Sequence, residues 1–373
     1  MNLFQHPGLY IHIPFCEKKC PYCKFYSIAS LSLVSRWLAA LRKEMARYKT
    51  RFESFDSLYL GGGTPTSLRV KELEAILRYI FSYFDVASDT ELTIEANPRD
   101  LTLEKTRDLK MLGFNRVNVG VQSFDEPELV FLGRRHTAED ALSALRNLRA
   151  CGFANVGIDL IYGIEGQSLK GWIKTLEDAL AVQPEHISCY QLTLEKGTPF
   201  WQMTEKRLMK PLHEEKARAF FMTTSEMLEH HGYLHYEVSN FAREAAYYSR
   251  HNLKYWHHVP YLGLGPSAHS FQERTRWWNL SSVRQYCLAL ESRKAPIEGC
   301  ENLTDEQIKL ECIALGLRTR DGFEAQQIES NPFSVRVLSR LQHLGLLQVK
   351  GDRIIPTTEG LIVADQLPLC FFE

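Results

Sequence analysis

The chain has 373 residues, which is long enough for one large domain and a smaller one. Its 44 lysines and arginines nearly balance its 45 aspartates and glutamates, and 45% of its residues are hydrophobic. A near-neutral charge disfavours a strongly basic nucleic-acid-binding surface, and the apolar fraction is that of a globular protein with a substantial core. We therefore expect no nucleic acid among its partners.

The first residues, MNLFQHPGLYIHIPFC, lack the basic start, apolar run and small-residue cleavage site of a secretory signal. No apolar run approaches the roughly 18 residues that cross a bilayer. These features predict a cytoplasmic protein and leave peripheral membrane contact open. In that reducing compartment the nine cysteines are expected to be free thiols or metal ligands.

Six β-rich runs alternate with helix-like stretches up to residue 232. The runs are LYIHIP, SLYLGG, ELTIEA, RVNVGVQS, NVGIDLIYG and HISCYQLTLE, and apolar residues recur near helical spacing in the stretches between them. This alternation predicts parallel strands joined by helices. Six repeats favour a partial β/α barrel over a complete eight-fold one. The predicted fold class is therefore α/β, with a six-stranded partial barrel over residues 1–235.

The pattern changes after the barrel. Residues 236–300 are interpreted as a connecting segment rich in aromatic residues and histidines. Residues 301–373 are interpreted as a smaller, winged-helix-like α+β domain, because helices precede LLQVKGDRIIPT, two β-like runs joined at Lys350-Gly351-Asp352. Winged helices often bind DNA, but this block has no pronounced basic stripe. An interaction or lid role is favoured, and a DNA-binding regulator is retained as an alternative.

Three cysteines, Cys16, Cys20 and Cys23, stand close together near the first predicted strand. One interpretation is a structural zinc site completed by His12, since zinc usually takes four tetrahedral ligands. The other is a 4Fe–4S cluster, which normally uses four cysteines. With three cysteines, one iron would keep a free position for a small molecule.

The spacing Cys-x3-Cys-x2-Cys, with Tyr22 before the last cysteine, resembles the radical S-adenosylmethionine (SAM) superfamily. The resemblance implies that SAM occupies the open iron and that Gly62, Gly63 and Thr64 of LYLGGGTPT bind its amino group. Glu95, Gln122 and Asp159 each close an apolar run, where barrel strands carry ligand-binding residues. Arg134 is a candidate partner of the SAM carboxylate because its guanidinium is a planar multi-donor.

Within that superfamily, LYIHIPFC…CPYC, GGGTPT, TIEANP, GVQSF, DLIYG and YQLTLE resemble the oxygen-independent coproporphyrinogen III oxidases and their relatives. The resemblance implies a six-stranded partial barrel with an added C-terminal domain. It also implies SAM contacts, by position, from Tyr10, Gly62, Gly63, Thr64, Glu95, Gln122, Arg134 and Asp159, and from Gln191, where the family varies.

Two departures separate the chain from the oxidases. Phe25 stands where the oxidase has a further cysteine, and the oxidase's long segment before the cluster is absent from this sequence. In both features the chain resembles the heme-chaperone branch of the family. The HNxxYW motif, formed by His251, Asn252, Tyr255 and Trp256, also resembles that branch's heme-binding motif.

This resemblance implies a protein that binds heme b and delivers it to apo-hemoproteins of the respiratory chain, with a homodimer as one form. A histidine can ligate heme iron, and tyrosine and tryptophan supply flat apolar surface with polar edges. His257, His258 and His269 compete with His251 as iron ligand. The structural alternative is an aromatic segment that seals the barrel mouth, with His251 hydrogen-bonded in place. Coproporphyrinogen oxidase and radical-driven heme modification are the enzymatic alternatives.

Overall fold

The computed structural model describes residues 6–329 and 331–371. Within these ranges the strands are β1 (Gly8–Ile13), β2 (Phe55–Gly62), β3 (Val86–Ala96), β4 (Arg116–Gln122), β5 (Val156–Tyr162), β6 (His186–Gln191), β7 (Leu234–Glu237), β8 (Asn240–Ala242), β9 (Tyr261–Leu264), β10 (His269–Gln272), β11 (Thr275–Asn279), β12 (Ile297–Asn302), β13 (Phe323–Glu324), β14 (Leu347–Lys350) and β15 (Arg353–Pro356). The helices are α1 (Val34–Tyr48), α2 (Val70–Tyr83), α3 (Leu103–Met111), α4 (Glu126–Phe131), α5 (Ala138–Ala150), α6 (Leu169–Ala181), α7 (Pro199–Glu205), α8 (Glu214–His230), α9 (Arg250–Trp256), α10 (Val283–Glu291), α11 (Asp305–Gly316), α12 (Gln326–Glu329), α13 (Pro332–His343) and α14 (Thr358–Ile362). None of these helices is both long and apolar enough to cross a bilayer.

The six predicted strands form the centre of one twelve-stranded sheet. Strands β1 to β6 lie side by side in chain order and are parallel throughout. The helices predicted between them are present as α1, α2, α3, α5 and α6. The α/β fold with a partial, six-stranded barrel is therefore confirmed.

The segment interpreted as a connector contributes strands to both edges of this sheet. Strand β9 pairs in parallel with β1 and is followed by antiparallel β10, β11 and β12. At the opposite edge, β8 and β7 continue antiparallel from β6. Residues 236–300 thus extend the barrel sheet as well as connecting it to the C-terminal block, and the domain boundaries themselves remain a prediction.

The C-terminal block has a hydrophobic core of its own. Strands β13, β15 and β14 form a small antiparallel sheet, and the residues at Lys350-Gly351-Asp352 connect β14 to β15 as predicted. Buried residues from α11, α13 and this sheet pack together, among them Ile313, Leu341 and Ile354. Helices packed on a small sheet with a β-hairpin match the expected winged-helix-like arrangement.

The parallel strands place apolar and polar side chains on opposite faces. Successive side chains of a strand point to opposite sides of the sheet. In β1, Leu9, Ile11 and Ile13 join the hydrophobic core, whereas Tyr10 and His12 contact each other on the other face. The other strands contribute polar residues to the same interior: Ser57, Tyr59, Glu91, Glu95, Asn118, Asp159, His186 and Ser188. The barrel interior is therefore polar, a feature that the apolar runs of the sequence did not reveal.

A buried carboxylate joins α1 to the far edge of the sheet. Glu44 is fully buried and accepts hydrogen bonds from the backbone N of Gly265 (2.9 Å), the hydroxyl of Tyr286 (2.6 Å) and the side-chain amide of Asn279. Burial raises its pKa to about 7, against the opposing effect of these donors. Removing the carboxylate would leave buried donors without an acceptor, which is costly in a dry environment.

We expect Glu44→Ala to lower the free energy of unfolding by about 2 kcal/mol or more, because the lost acceptor leaves buried donors unsatisfied. In thermal unfolding followed by circular dichroism, this should lower the apparent Tm by roughly 2–4 °C. Glu74→Ala is the matched control: Glu74 is an exposed glutamate on α2, and its removal should shift Tm by about 1 °C or less. Equal shifts in the two variants would contradict the structural role of Glu44.

Candidate cofactor site

The three clustered cysteines lie on a loop that leaves β1 and returns to its end. We call residues 14–28 the cysteine loop. The backbone N of Ile28 donates to Pro14 O (2.9 Å), and the backbone N of Cys16 donates to Ile28 O (3.1 Å). A tight turn follows inside the loop, where Cys23 N donates to Cys20 O (3.2 Å). Cys16 is buried, whereas Cys20 and Cys23 are partly exposed.

Two of the thiols accept hydrogen bonds from neighbouring elements. The hydroxyl of Thr64, just after β2, donates to Cys16 Sγ, and Nη1 of Arg134 donates to Cys20 Sγ, each at 3.5 Å. Burial raises the pKa of Cys23, and the backbone N of Phe25 opposes that effect. A thiolate is the form that binds metal, and donors aimed at the sulfurs favour it.

His12 does not complete a zinc site in this conformation. Its Nε2 is hydrogen-bonded to Tyr26 O (2.8 Å), and its Nδ1 lies 3.1 Å from the hydroxyl of Tyr10. Among the described residues, no three His, Cys, Asp or Glu side chains are grouped so that they could hold a single metal ion. In an iron–sulfur cluster each thiolate binds a different iron, so the sulfurs need not converge on one point. The donor set fits a cluster better than a zinc ion.

The glycine loop, residues 61–64, lies directly against the end of β1. Gly63 N donates to Ile13 O (2.8 Å), and Thr64 N donates to Phe15 O (2.7 Å). Gly62 has a φ of 105°, and a Cβ atom there would lie 2.5 Å from the ring of His12. Only glycine combines this left-handed conformation with so close an approach. The loop therefore brings its backbone close to the start of the cysteine loop.

Two carboxylates lie in the barrel interior beside the glycine loop. Glu95 accepts hydrogen bonds from the hydroxyl of Tyr59 (2.8 Å) and from Gly62 N (3.1 Å). Burial raises its pKa to about 7, the Tyr59 bond opposes that shift and the charge of Asp159 adds to it. Asp159 Oδ2 accepts from the side-chain amide of Asn118 (2.7 Å), and burial raises the pKa of Asp159 against the opposing effect of hydrogen bonds from Asn118 and Ser188. Its Oδ1 is buried and has no close hydrogen-bond partner among the described residues. A bound cation would compensate both groups.

Arg134 connects the cysteine loop to the end of β4. Its Nη2 donates to Gly120 O (2.6 Å), and its Nη1 lies 3.4 Å from the hydroxyl of Tyr22. Burial lowers the pKa of Arg134, but Tyr22 and Cys20 raise it, and the net direction is upward. Its Nε is buried without a hydrogen-bond partner among the described residues. The guanidinium therefore stays charged and retains one donor for an anionic group.

Backbone strain marks the end of β4. Gln122 has a φ of 73°, and the pairing of β4 with β5 shifts register between Gly120 and Gln122. A non-glycine residue in the left-handed region is uncommon, and such outliers concentrate at ligand-binding sites. The bulge re-aims the Gln122 side chain, whose Nε2 would lie 3.0 Å from a Cβ atom at Gly120.

The structure brings most of the predicted SAM contacts together through hydrogen bonds and close approaches. Tyr10, Gly62, Gly63, Thr64 and Glu95 form one connected group at the ends of β1 to β3, and Tyr22, Gln122 and Arg134 form a second group at β4. Asp159 is linked to the first group by charge. Gln191 lies exposed at the end of β6, and in the described structure its side chain forms no hydrogen bond with these residues.

Sequence reasoning missed Tyr59. It lies two residues before Gly61 on β2 and orients Glu95 through its hydroxyl. The signal was present in the alternation of β2, because side chains two apart share a face and Ser57, Tyr59 and Gly61 form one such set.

The residues of the HNxxYW motif lie on α9 and face different directions. His251 is 1% exposed; its Nδ1 lies 3.1 Å from the hydroxyl of Ser57 and its Nε2 lies 2.8 Å from that of Tyr255. Trp256 instead packs toward the C-terminal block, under the guanidinium of Arg318 at 5.0 Å. Asn252 is partly exposed, and its backbone N is capped by the hydroxyl of Ser249. His251 is thus hydrogen-bonded in place.

The three competing histidines are spread along the following segment. His257 Nε2 lies 3.2 Å from a carboxylate oxygen of Asp321, and His258 Nε2 lies 3.0 Å from one of Glu311. His269 is exposed on β10, where its ring stacks on Trp278 at 6.0 Å. Of the candidate histidines, His269 offers the most accessible ring.

The chain is similar to known proteins over most of its length. Residues 10–179 match the model of the radical SAM superfamily. The chain is 35% identical over 370 residues to the heme chaperone HemW of Bacillus subtilis, covering 96% of this chain and 97% of that protein. It is 35% identical to HemW of Synechocystis, over 92% of this chain and 84% of the relative.

The chain is also similar to a mitochondrial relative and to a solved structure. The mitochondrial radical S-adenosyl methionine domain-containing protein 1 of Bos taurus is 32% identical, over 98% of this chain and 87% of that protein. The structure of coproporphyrinogen III oxidase from Escherichia coli matches with a TM-score of 0.85, over 98% of this chain and 90% of that one. At 23% identity that likeness shows the fold alone. The near-full-length identity to the chaperones decides the family: the chain belongs to the radical SAM superfamily and, within it, to the family of the heme chaperone HemW.

Proposed function

We propose that the protein is a heme chaperone that binds heme b and delivers it to apo-hemoproteins of the respiratory chain, with a 4Fe–4S cluster and SAM bound at the barrel mouth. The observation that carries the proposal is the identity to proteins named heme chaperones, 35% over 97% of the length of one of them. Phe25 supports the same choice, because it occupies the position of the oxidase's additional cysteine and its side chain is 70% exposed.

Cys16, Cys20 and Cys23 would hold the cluster. When bound, the cluster supplies an electron and an iron with a free position for the amino and carboxylate groups of SAM. The protein's part is to keep the thiolates in place and to surround them with donors. Thr64 and Arg134 already donate to two of the sulfurs, and Tyr22 lies against the Arg134 guanidinium.

The proposed SAM contacts divide by charge. Glu95, together with the backbone of Gly62 and Gly63 and the side chain of Thr64, lies where a cationic ammonium group would be stabilised. Asp159 contributes a second buried carboxylate, one oxygen of which has no hydrogen-bond partner in the described part of the chain. The Nε of Arg134 likewise has no partner within the described residues and is available for a carboxylate, and Gln122 projects from the strained end of β4. Tyr10 lines the same interior, and Gln191 is kept as an outer contact at β6.

The proposed heme site is the surface around the HNxxYW motif. Asn252, Tyr255 and Trp256 are partly exposed, and Trp256 Nε1 has no hydrogen-bond partner among the described residues. His251 could bind iron only after giving up its hydrogen bonds to Ser57 and Tyr255. We also propose a cytoplasmic location, a homodimeric form and peripheral membrane contact.

The cluster assignment is tested by anaerobic reconstitution with iron and sulfide. The wild type should take up about four irons per chain. Cys20→Ser should lose most of the cluster absorbance and electron paramagnetic resonance signal because one of its iron ligands is removed. Cys300→Ser is the matched control, since Cys300 is exposed on β12, and it should retain the wild-type iron content. A wild type that binds stoichiometric zinc and no iron would refute the assignment.

The heme site is tested by heme titration followed by absorbance, and by transfer of bound heme to an apocytochrome. Trp256→Ala should weaken heme binding about tenfold, because a flat apolar contact is worth roughly 1 kcal/mol or more. Trp201→Ala, a partly buried tryptophan on α7, should leave heme affinity within about twofold of wild type. Equal losses in both variants, or a wild type that binds no heme, would contradict the proposed site.

A further inference from the structure

His251 is locked into the barrel interior by contacts on both sides of its ring. The hydroxyl of Ser57, on β2, is hydrogen-bonded to Nδ1 of His251. The hydroxyl of Tyr255, one turn further along α9, is hydrogen-bonded to Nε2 of the same ring. Burial, with a smaller contribution from the charge of Lys254, lowers the pKa of His251 to about 3, so the ring is neutral at physiological pH. A neutral, doubly hydrogen-bonded imidazole in the core is suited to holding neighbours in position.

The start of α9 is anchored to the strands that carry the glycine loop and Glu95. The carboxylate of Glu91, on β3, accepts from the backbone N of Arg250 and of His251, each at 3.2 Å. Gly8 of β1 lets the helix approach, because a Cβ atom there would lie 2.9 Å from the His251 ring and 2.9 Å from the Lys254 side chain. Helix α9 and the glycine loop therefore contact the same strands, β1 and β3.

Two chains of contacts run from His251 to Gly62. In the first, the His251 ring packs 5.2 Å from the ring of Tyr59, whose hydroxyl donates to Glu95, which in turn accepts from Gly62 N.

In the second chain, the His251 ring stacks on that of Tyr10 at 6.2 Å, and the hydroxyl of Tyr10 lies 3.1 Å from His12 Nδ1. The His12 ring in turn fills the space that a side chain on Gly62 would need. Both chains end at the backbone that would bind the SAM amino group.

We propose that His251 is a positioning residue for the SAM site, holding Tyr59 and Tyr10 so that Glu95 and Gly62 keep the geometry that binds the SAM ammonium group. The inference rests on the proposed function and adds a regulatory consequence to it. A ligand at the HNxxYW motif that displaces α9 weakens SAM binding, and bound SAM opposes that displacement by the same factor, since coupling between two sites is reciprocal.

The test measures the SAM dissociation constant of heme-free, cluster-loaded protein by anaerobic equilibrium dialysis with radiolabelled SAM. His251→Leu, which keeps bulk but loses both hydrogen bonds, should raise that constant about tenfold. His251→Gln keeps a group that can hydrogen-bond to Ser57 or Tyr255 and should recover part of the affinity. Iron content and thermal unfolding confirm that each variant is folded and loaded.

Leu253→Ala is the matched control. Leu253 is also buried on α9 but packs on the other side, against Tyr236, so its truncation removes packing there and leaves the contacts of His251 with Ser57 and Tyr255 in place. It should leave SAM affinity within about twofold. A double-mutant cycle adds Tyr59→Phe: if His251 acts through Tyr59, the combined loss should be smaller than the product of the single losses.

The outcomes separate the two proposals. A cluster-loaded wild type that binds no SAM refutes SAM binding as part of the proposed function, and this inference with it. A wild type that binds SAM, with His251→Leu unchanged or Leu253→Ala equally impaired, overturns only the positioning role. Heme titration of the same proteins distinguishes one further outcome. If His251→Leu loses heme binding and keeps its SAM affinity, His251 is an iron ligand and the inference is overturned.

Discussion

The contact between the glycine loop and the end of β1 is the constraint on which the site depends. The backbone N–H groups of Gly63 and Thr64 donate to the carbonyls of Ile13 and Phe15, respectively. These hydrogen bonds hold the end of β2 next to the cysteine loop. The loop in turn closes on itself through Ile28. As a result Cys16 receives a hydrogen bond from the hydroxyl of Thr64, which directly follows the glycines. A side chain at Gly62 or Gly63 would collide with His12 or with the Phe15 carbonyl, so this approach requires glycine.

The polar interior has an energetic cost that a ligand would offset. Glu95 and Asp159 are carboxylates whose pKa values burial raises, and the charge of Asp159 raises the pKa of Glu95 further. A cation bound near them would favour their charged forms. Among the described residues, Asp159 Oδ1 and Arg134 Nε have no hydrogen-bond partner, and both belong to residues predicted to bind the charged ends of SAM. The charged ligand that we propose would give both atoms a partner.

Helix α9 contacts both the barrel strands and the C-terminal block, which lie far apart in the sequence. Its inner face carries His251 against β1 and β2, and its outer face carries Leu253 and Trp256 toward the C-terminal side. The HNxxYW motif is therefore not a single surface patch. Its histidine lies in the barrel interior, whereas its tryptophan is partly exposed and packs on the opposite side of the helix, beneath Arg318.

Local patterns in the sequence were enough to predict the six strands, their order along the chain and the place of the cysteines, because strand–helix alternation and the spacing of Cys16, Cys20 and Cys23 are visible in short segments. They also indicated most of the strand-end residues, since parallel strands bring their carboxyl ends to one edge. Which of these side chains contact one another became clear from the three-dimensional packing. The hydrogen bonds of Arg134 to Cys20 and of Tyr59 to Glu95, and the burial of His251, join residues far apart in the chain. Such contacts depend on strand register and helix packing, which no short stretch of sequence encodes.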